Sequence, residues 1–155
     1  MPKEIERKFL VDPGKWTYVS KGTGHFYQQG YLLTDPNKTV RVRVTGTSGY
    51  LTIKGKNEGA VRLEYEYEIP RDEAMELLAQ FADCSLSKMR YRVSVGNKVW
   101  EVDDFLDRNA GLLVAEIELL DEHEIFEMPD WVTVEVTGDA RYYNSNLSIN
   151  PFSSW

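Results

Sequence analysis

The 155-residue sequence predicts an antiparallel α+β fold with many strands, few helices and a sheet closed or nearly closed on itself. Three observations predict it. Turn signals recur at short intervals: Asp12-Pro13-Gly14, Gly22-Thr23-Gly24, Asp35-Pro36-Asn37, Gly46 to Gly49, Gly55 to Gly59, Gly96-Asn97 and Gly111. Between them, apolar and polar residues alternate with period two, which sends them to opposite faces of a strand. A strong helical stripe is confined to one segment, 70–82, and no internal repeat or linker divides the chain, so residues 1–155 form one domain.

The elements follow in order. Strand 3–10 sets Glu4, Glu6 and Lys8 against Ile5 and Phe9. Strand 25–33 carries Tyr27, Gln29 and Tyr31, whose shared parity leaves open whether a ring turns inward. Strand 39–45 sets Arg41 and Arg43 against Val40, Val42 and Val44, and strand 49–55 sets Lys54 against Leu51 and Ile53. Strand 61–69 sets Arg62, Glu64, Glu66 and Glu68 against Leu63, Tyr65, Tyr67 and Ile69. The helix 70–82 opens on Pro70 with Asp72 and Glu73 in its first turn, where acids meet the positive end of the dipole. Its stripe is Ala74, Met75, Leu77, Leu78, Phe81 and Ala82.

Strand 87–96 then sets Lys88, Arg90 and Arg92 against Met89, Tyr91, Val93 and Val95. Strand 98–104 sets Glu101 and Asp103 against Trp100 and Val102, and strand 112–119 sets Glu116 and Glu118 against Ala115, Ile117 and Leu119. A weaker strand is expected at 132–136, with short helices near 121–127 and 140–147. The apolar-face aromatics Tyr65, Tyr67, Tyr91 and Trp100 are expected to pack under helices.

A wet sheet face alternates in the same way, but it mixes charge signs. Here the signs are grouped by strand. Same-face neighbours lie roughly 6–7 Å apart. Two like charges at that distance repel by about half a kcal/mol in water, and by roughly 2–3 kcal/mol at an effective dielectric of 20. Turned into one confined space, such strands need counter-ions. One way to supply them is a lattice of salt bridges. The other is a ligand: carboxylates clustered without histidine or cysteine suit Mg²⁺ or Mn²⁺, and grouped Arg and Lys on stiff strands suit phosphate oxygens. Together they ask for a polyphosphate carrying a divalent ion.

Other classes recede. A net charge of −7 argues against a nucleic-acid-backbone binder. The lone Cys84 forms no internal disulfide and suits a reducing cytoplasm. No apolar run reaches the ~20 residues that span a bilayer, and signal-peptide features are absent from the amino terminus, so the expectation is cytoplasmic with no membrane partner. No G-x-x-x-x-G-K-[ST] loop occurs. His25 and His123 match no metal-ligand spacing, and Cys84 reads as a small packed residue rather than a nucleophile.

The opening Glu4-Ile5-Glu6-Arg7-Lys8-Phe9 resembles the E-x-E-x-K signature of the triphosphate tunnel metalloenzymes, the CYTH superfamily. Gln29-Gly30-Tyr31, Arg41-Val42-Arg43, Thr52-Ile53-Lys54, Glu64-Tyr65-Glu66, Lys88-Met89-Arg90-Tyr91, Trp100-Glu101-Val102-Asp103, Ala115-Glu116-Ile117-Glu118 and Asp139-Ala140-Arg141-Tyr142 follow in that family's order, so the resemblance spans the chain. It implies an eight-stranded antiparallel β-barrel, a tunnel with charged side chains lining its bore and a few covering helices.

The resemblance also implies roles. Glu4, Glu6, Glu116 and Glu118 would hold a first metal ion, Mg²⁺ or Mn²⁺. Glu64, Glu66 and Asp103 would serve a second ion or the attacking water. Lys8, Arg41, Arg43, Lys54, Arg62, Lys88 and Arg90 would grip phosphates, and Glu68, Arg92 and Glu101 would sit at the bore's ends or rim. The implied activity is metal-dependent hydrolysis of a triphosphate, foremost inorganic tripolyphosphate. A class IV adenylate cyclase, a thiamine triphosphatase and a non-catalytic polyphosphate or nucleotide-binding module stay open as alternatives. The expected partner is a small triphosphate, with a homodimer compatible with exposed strands and the aromatic tail of Phe152 and Trp155.

Overall fold

The computed structural model describes residues 1–155. Nine strands form the sheet: β1 (Lys3–Val11), β2 (His25–Asp35), β3 (Lys38–Val44), β4 (Gly49–Gly55), β5 (Val61–Ile69), β6 (Cys84–Val95), β7 (Lys98–Phe105), β8 (Leu113–Glu118) and β9 (Val132–Glu135). Three α-helices accompany them: α1 (Pro13–Thr17), α2 (Arg71–Phe81) and α3 (Asn144–Leu147). The order β5-β4-β3-β2-β6-β7-β8-β1 closes where β1 pairs with β5, which makes an eight-stranded antiparallel barrel. Closure is brief: only Lys3, Glu4 and Ile5 pair with β5, and β9 takes β1 near Phe9 and Val11.

Closing the sheet removes its edges, and here it also inverts the usual layering. The charged faces turn inward, so the apolar residues form their core outside the barrel wall. One core joins Phe9, Trp100, Val102, Ala115 and Ile117 of the wall to Trp16 of α1 and Trp131. A second lies under α2, where Ala74 meets Val42 and Val44. Helix α2 sits so low that a methyl group on Gly49 would come within 2.5 Å of Ala74 Cβ, and one on Gly30 within 2.7 Å of Leu78 Cδ2. A third core joins Leu86, Phe105, Leu112, Val114 and Val136 to Tyr142 and Leu147 of the C-terminal segment, and it caps one end of the barrel.

The strands lie where alternation put them, with β2 running on to Asp35 and β6 starting at Cys84. Three differences have physical causes. Asp12-Pro13-Gly14 opens a short helix instead of a simple turn: Asp12 Oδ1 accepts from the Lys15 N–H and Pro13 takes the first helical position. The helix expected at 121–127 does not form. Asp121 Oδ1 accepts from the His123 N–H and Glu124 Oε1 from the Leu120 N–H, and these local bonds displace the helical ladder. The helix expected at 140–147 splits at Tyr143 into a 3₁₀ turn, Ala140–Tyr142, and α3.

Among the aromatics, Trp100 is fully buried and Tyr91 packs edge-on against Trp16, whereas Tyr67 remains open to solvent. His25 and His123 are solvent-facing. No helix is long and apolar enough to cross a membrane.

Candidate active site

Register decides which side chains share the bore, because directly opposed residues of an antiparallel pair project to one face. Lys8 opposes Glu116, Glu6 opposes Glu118, Glu101 opposes Glu116 and Arg90 opposes Asp103. On the other wall, Lys54 opposes Glu64, Arg43 opposes Tyr50 and Tyr31 opposes Arg41. The faces coalesce around a cavity of about 280 Å³. Its wall carries seven carboxylates (Glu4, Glu6, Glu64, Glu66, Glu101, Glu116, Glu118) and eight cations (Lys8, Arg41, Arg43, Lys54, Arg62, Lys88, Arg90, Arg92).

Every sequence-assigned site residue except Asp103 lines this space. Asp103 has no exposed surface, and both its oxygens are taken: Oδ1 by Arg90 Nε at 2.7 Å, Oδ2 by Arg90 Nη2 and Lys88 Nζ, each at 2.8 Å. Arg92 and Glu101 line the cavity, and Glu68 does not. Five neutral residues complete the lining: Tyr31, Thr39, Tyr143, Asn144 and Ser145. Tyr31 accepts from Gln29 Nε2, and both are buried in the bore, which resolves their parity. Residues 143–145 had carried no charge pattern to mark them.

The cations and carboxylates are partly paired. Lys54 Nζ lies 3.0 Å from Glu4 and 3.2 Å from Glu64, and Arg43 lies 3.2 Å from Glu66. Lys8 and Arg90 each approach Glu116 at 3.7 Å, and Arg90 reaches Glu101 at 3.4 Å. With side chains drawn to these partners, no three acids converge into a ready metal cage. Yet pairing is incomplete. Arg41 and Arg43 each bury an Nε with no partner. Burial and the nearby Arg41 and Arg90 lower the pKa of Arg43.

The acids feel the crowding unequally. Burial, with Glu116 and Glu4 close by, pushes Glu6 up to about 8. Burial, together with Glu64 and Glu116 and against the pull of Lys54, raises Glu4. Burial with Glu4 and Glu101 raises Glu118. Glu116 goes the other way: against its burial, Lys8, Arg90 and Lys88 hold it well below the usual carboxylate range. Burial lowers Lys88 to about 7 despite Asp103. Asp103 itself stays ionised, held down against burial chiefly by Arg90. A cluster whose acids resist full ionisation has room for added positive charge.

A carboxyl titrating near 8 when folded and near 4.5 when unfolded retains its proton only in the fold. Its stabilising effect is complete below 4.5 and is lost as pH rises toward 8. Glu6→Gln removes that loss. In thermal melts without metal, the variant is expected to gain on the native protein between about pH 5 and 8, by several degrees, and to hold a constant lead above that range. Parallel melting curves across this pH range would exclude the assignment.

Comparison with known proteins adds the lineage. Residues 2–143 match the CYTH domain. The inorganic triphosphatase of Acetivibrio thermocellus is 49% identical over 156 residues, covering 100% of this chain and 99% of that protein. The crystal structure of the inorganic triphosphatase NE1496 superimposes with a TM-score of 0.64 at 32% identity, covering 94% of this chain and 97% of that one. PH1012 protein from Pyrococcus horikoshii OT3 shares the fold at 21% identity, with a TM-score of 0.57 and coverage of 77% and 80%. With its barrel, its inward charges and these relatives, the chain belongs to the CYTH domain family.

Proposed function

We propose that the protein is a metal-dependent inorganic triphosphatase that cleaves a phosphoanhydride bond of tripolyphosphate inside the barrel. One observation carries this reading: a cavity inside the barrel, open at one mouth, in which cations slightly outnumber carboxylates and several of those carboxylates have raised pKa values. Such a space suits a polyanion that brings divalent ions with it. The 49% identity to an inorganic triphosphatase along the whole chain supports the same choice. The single cysteine suits a reducing compartment.

The donor set fits Mg²⁺ or Mn²⁺, being all oxygen and crowded enough to raise Glu4, Glu6 and Glu118. Glu4, Glu6, Glu116 and Glu118 would hold the first ion after Glu4 turns from Lys54. When bound, the ion neutralises phosphate charge and lowers the pKa of a water. The protein's own work is positioning and electrostatics. Lys8, Arg41, Arg43, Lys54, Arg62, Lys88 and Arg90 grip the phosphate chain. Glu64, fixed by Lys54, and Glu66, fixed by Arg43, are set to take the proton of the attacking water or to support a second ion. Asp103 acts through Lys88 and Arg90, whose ammonium and guanidinium it holds.

A second reading rests on a shelf of about 450 Å³ at the open mouth, where Val99, Leu119 and Leu120 stand beside Arg92, Glu101 and Glu118. It offers apolar surface to the organic part of thiamine triphosphate or ATP. The bore itself holds no apolar slot beyond two tyrosines. The deciding assay measures phosphate release from tripolyphosphate and thiamine triphosphate, and cyclic AMP formation from ATP, each with Mg²⁺, Mn²⁺ or EDTA. Metal-dependent release from tripolyphosphate that EDTA stops is the expected result. No product from any substrate would favour a binding module.

A further inference from the structure

The cavity is open at the end where Arg92, Glu101 and Glu118 stand, and the C-terminal segment seals the other. Behind that segment lies the apolar cluster containing Leu86, Phe105, Val136 and Leu147, and a small side cavity of about 20 Å³ adjoins the bore beside Tyr143, between Asn57 and Thr137. A ligand entering at that mouth meets Tyr143, Asn144 and Ser145 at the far end of the bore.

Those residues are held in place. The Tyr143 hydroxyl accepts from Asn57 Nδ2 at 2.7 Å, and the Lys8 ammonium stands over its ring at 5.5 Å. Asn144 Oδ1 accepts twice, from Lys88 Nζ at 2.9 Å and from Gln29 Nε2 at 3.1 Å. Two donors on that oxygen settle which way the carboxamide faces. The Nδ2 group is then the edge left over. It makes no bond within the protein and is not among the buried unpartnered atoms, so it is accessible, and Asn144 is part of the cavity wall. The Ser145 hydroxyl is likewise uncommitted beside it. Lys88, with one N–H to Asp103 and one to Asn144, keeps its third at the same end.

We propose that Asn144 and Ser145 form, with Lys88, a seat for the leading phosphoryl group at the closed end of the bore. The seat rests on the triphosphatase reading above and adds two neutral donors to it. Neutral donors suit this spot. They hold phosphate oxygens without adding another charge next to Lys88, whose ammonium is already costly to bury. The C-terminal segment thus becomes part of the binding site as well as a lid on the apolar end.

Asn144→Asp tests the seat. It keeps the side-chain shape and an oxygen for Lys88 and Gln29, but turns the free donor edge into a carboxylate oxygen facing phosphate. Ser145→Ala removes one donor and disturbs no internal bond. Binding of sodium tripolyphosphate is measured by calorimetry in EDTA, with thermal melts to confirm folding. Asn144→Asp is expected to bind at least ~10-fold more weakly than the native protein, and Ser145→Ala several-fold more weakly, as the loss of hydrogen bonds to a charged group predicts. Native affinity in both folded variants would overturn the seat while leaving the triphosphatase reading intact. A native protein that neither binds nor cleaves tripolyphosphate would remove both.

Discussion

Glu116→Gln is expected to lose metal-dependent turnover by at least ~10²-fold while remaining folded and able to bind phosphate. Glu116 faces the cavity between Lys8 and Arg90, each 3.7 Å away. Those distances are long for hydrogen-bonded pairs, but Lys8, Arg90 and Lys88, which hold Glu116 below the usual carboxylate range, make its charge stabilising at neutral pH. Arg90 keeps its two bonds to Asp103 when Glu116 is neutral. The melting temperature of the metal-free variant should therefore fall, but by less than for Asp103→Asn, and the protein should stay folded. Because the surrounding cations keep Glu116 ionised, it is the carboxylate most ready to receive a divalent ion without first losing a proton. Removing its charge takes away one of the proposed ion ligands and leaves the cavity more positive.

These consequences separate in the kinetics. Tripolyphosphate without metal should bind Glu116→Gln at least as tightly as the native protein. Mn²⁺ affinity should fall and kcat should collapse, as when a preorganised electrostatic group is removed from a transition state. Titration calorimetry with Mn²⁺, beside steady-state phosphate release, measures both. Full activity in the folded variant would end the carboxylate assignment and the mechanism built on it.

How much of this could be read beforehand differs from residue to residue. Arg41 and Arg43 share a face in any strand, so alternation alone assigned them, and a register slip would have exposed Val42, which is fully buried. The ordered charged motifs supplied the lineage. Depth within the bore was not readable. Asp103 and Glu101 have the same parity on β7, yet one is sealed behind Arg90 and the other lines the cavity. That depends on how the longer cations of β6 fold over the shorter acid.

Asn144 was out of reach for another reason. Its partners Gln29 and Lys88 lie 115 and 56 residues away in the chain, and a neutral side chain in a short helix gives no periodic signal. At Asp12-Pro13-Gly14 the same residues serve a turn or a helix start. Burial of Trp16 against Trp131 and Tyr91 selects the helix, and that choice is tertiary.

The difference in depth between Asp103 and Glu116 leads to opposite outcomes on mutation. Asp103→Asn should destabilise the metal-free protein strongly, because it strands two buried cations. Lys88 and Arg90 are each at least nine-tenths buried, and three bonds of 2.7–2.8 Å tie them to this one carboxylate. Breaking a buried pair on one side typically costs 3–5 kcal/mol, which for a chain of this length corresponds to a drop of roughly 6–20 °C in melting temperature. The amide makes matters worse, since its Nδ2 group must face donors.

The loss should be largest below pH 7 and shrink as pH rises to about 7. Burial already lowers Lys88 to about 7 in the native protein, and without Asp103 it falls further, so the variant releases this proton first; above about 7 both have released it and the difference levels off. Added tripolyphosphate should restore part of the loss at pH 7 by giving both cations an anion again. Lys88→Met placed on Asp103→Asn should recover stability, since it removes one of the stranded charges. If Asp103 were instead an ion ligand facing the cavity, the metal-free variant would melt with the native protein and only its Mn²⁺ affinity would fall. Melts of the native protein, Asp103→Asn and the double variant in EDTA at about pH 5.5 and 8 distinguish these outcomes.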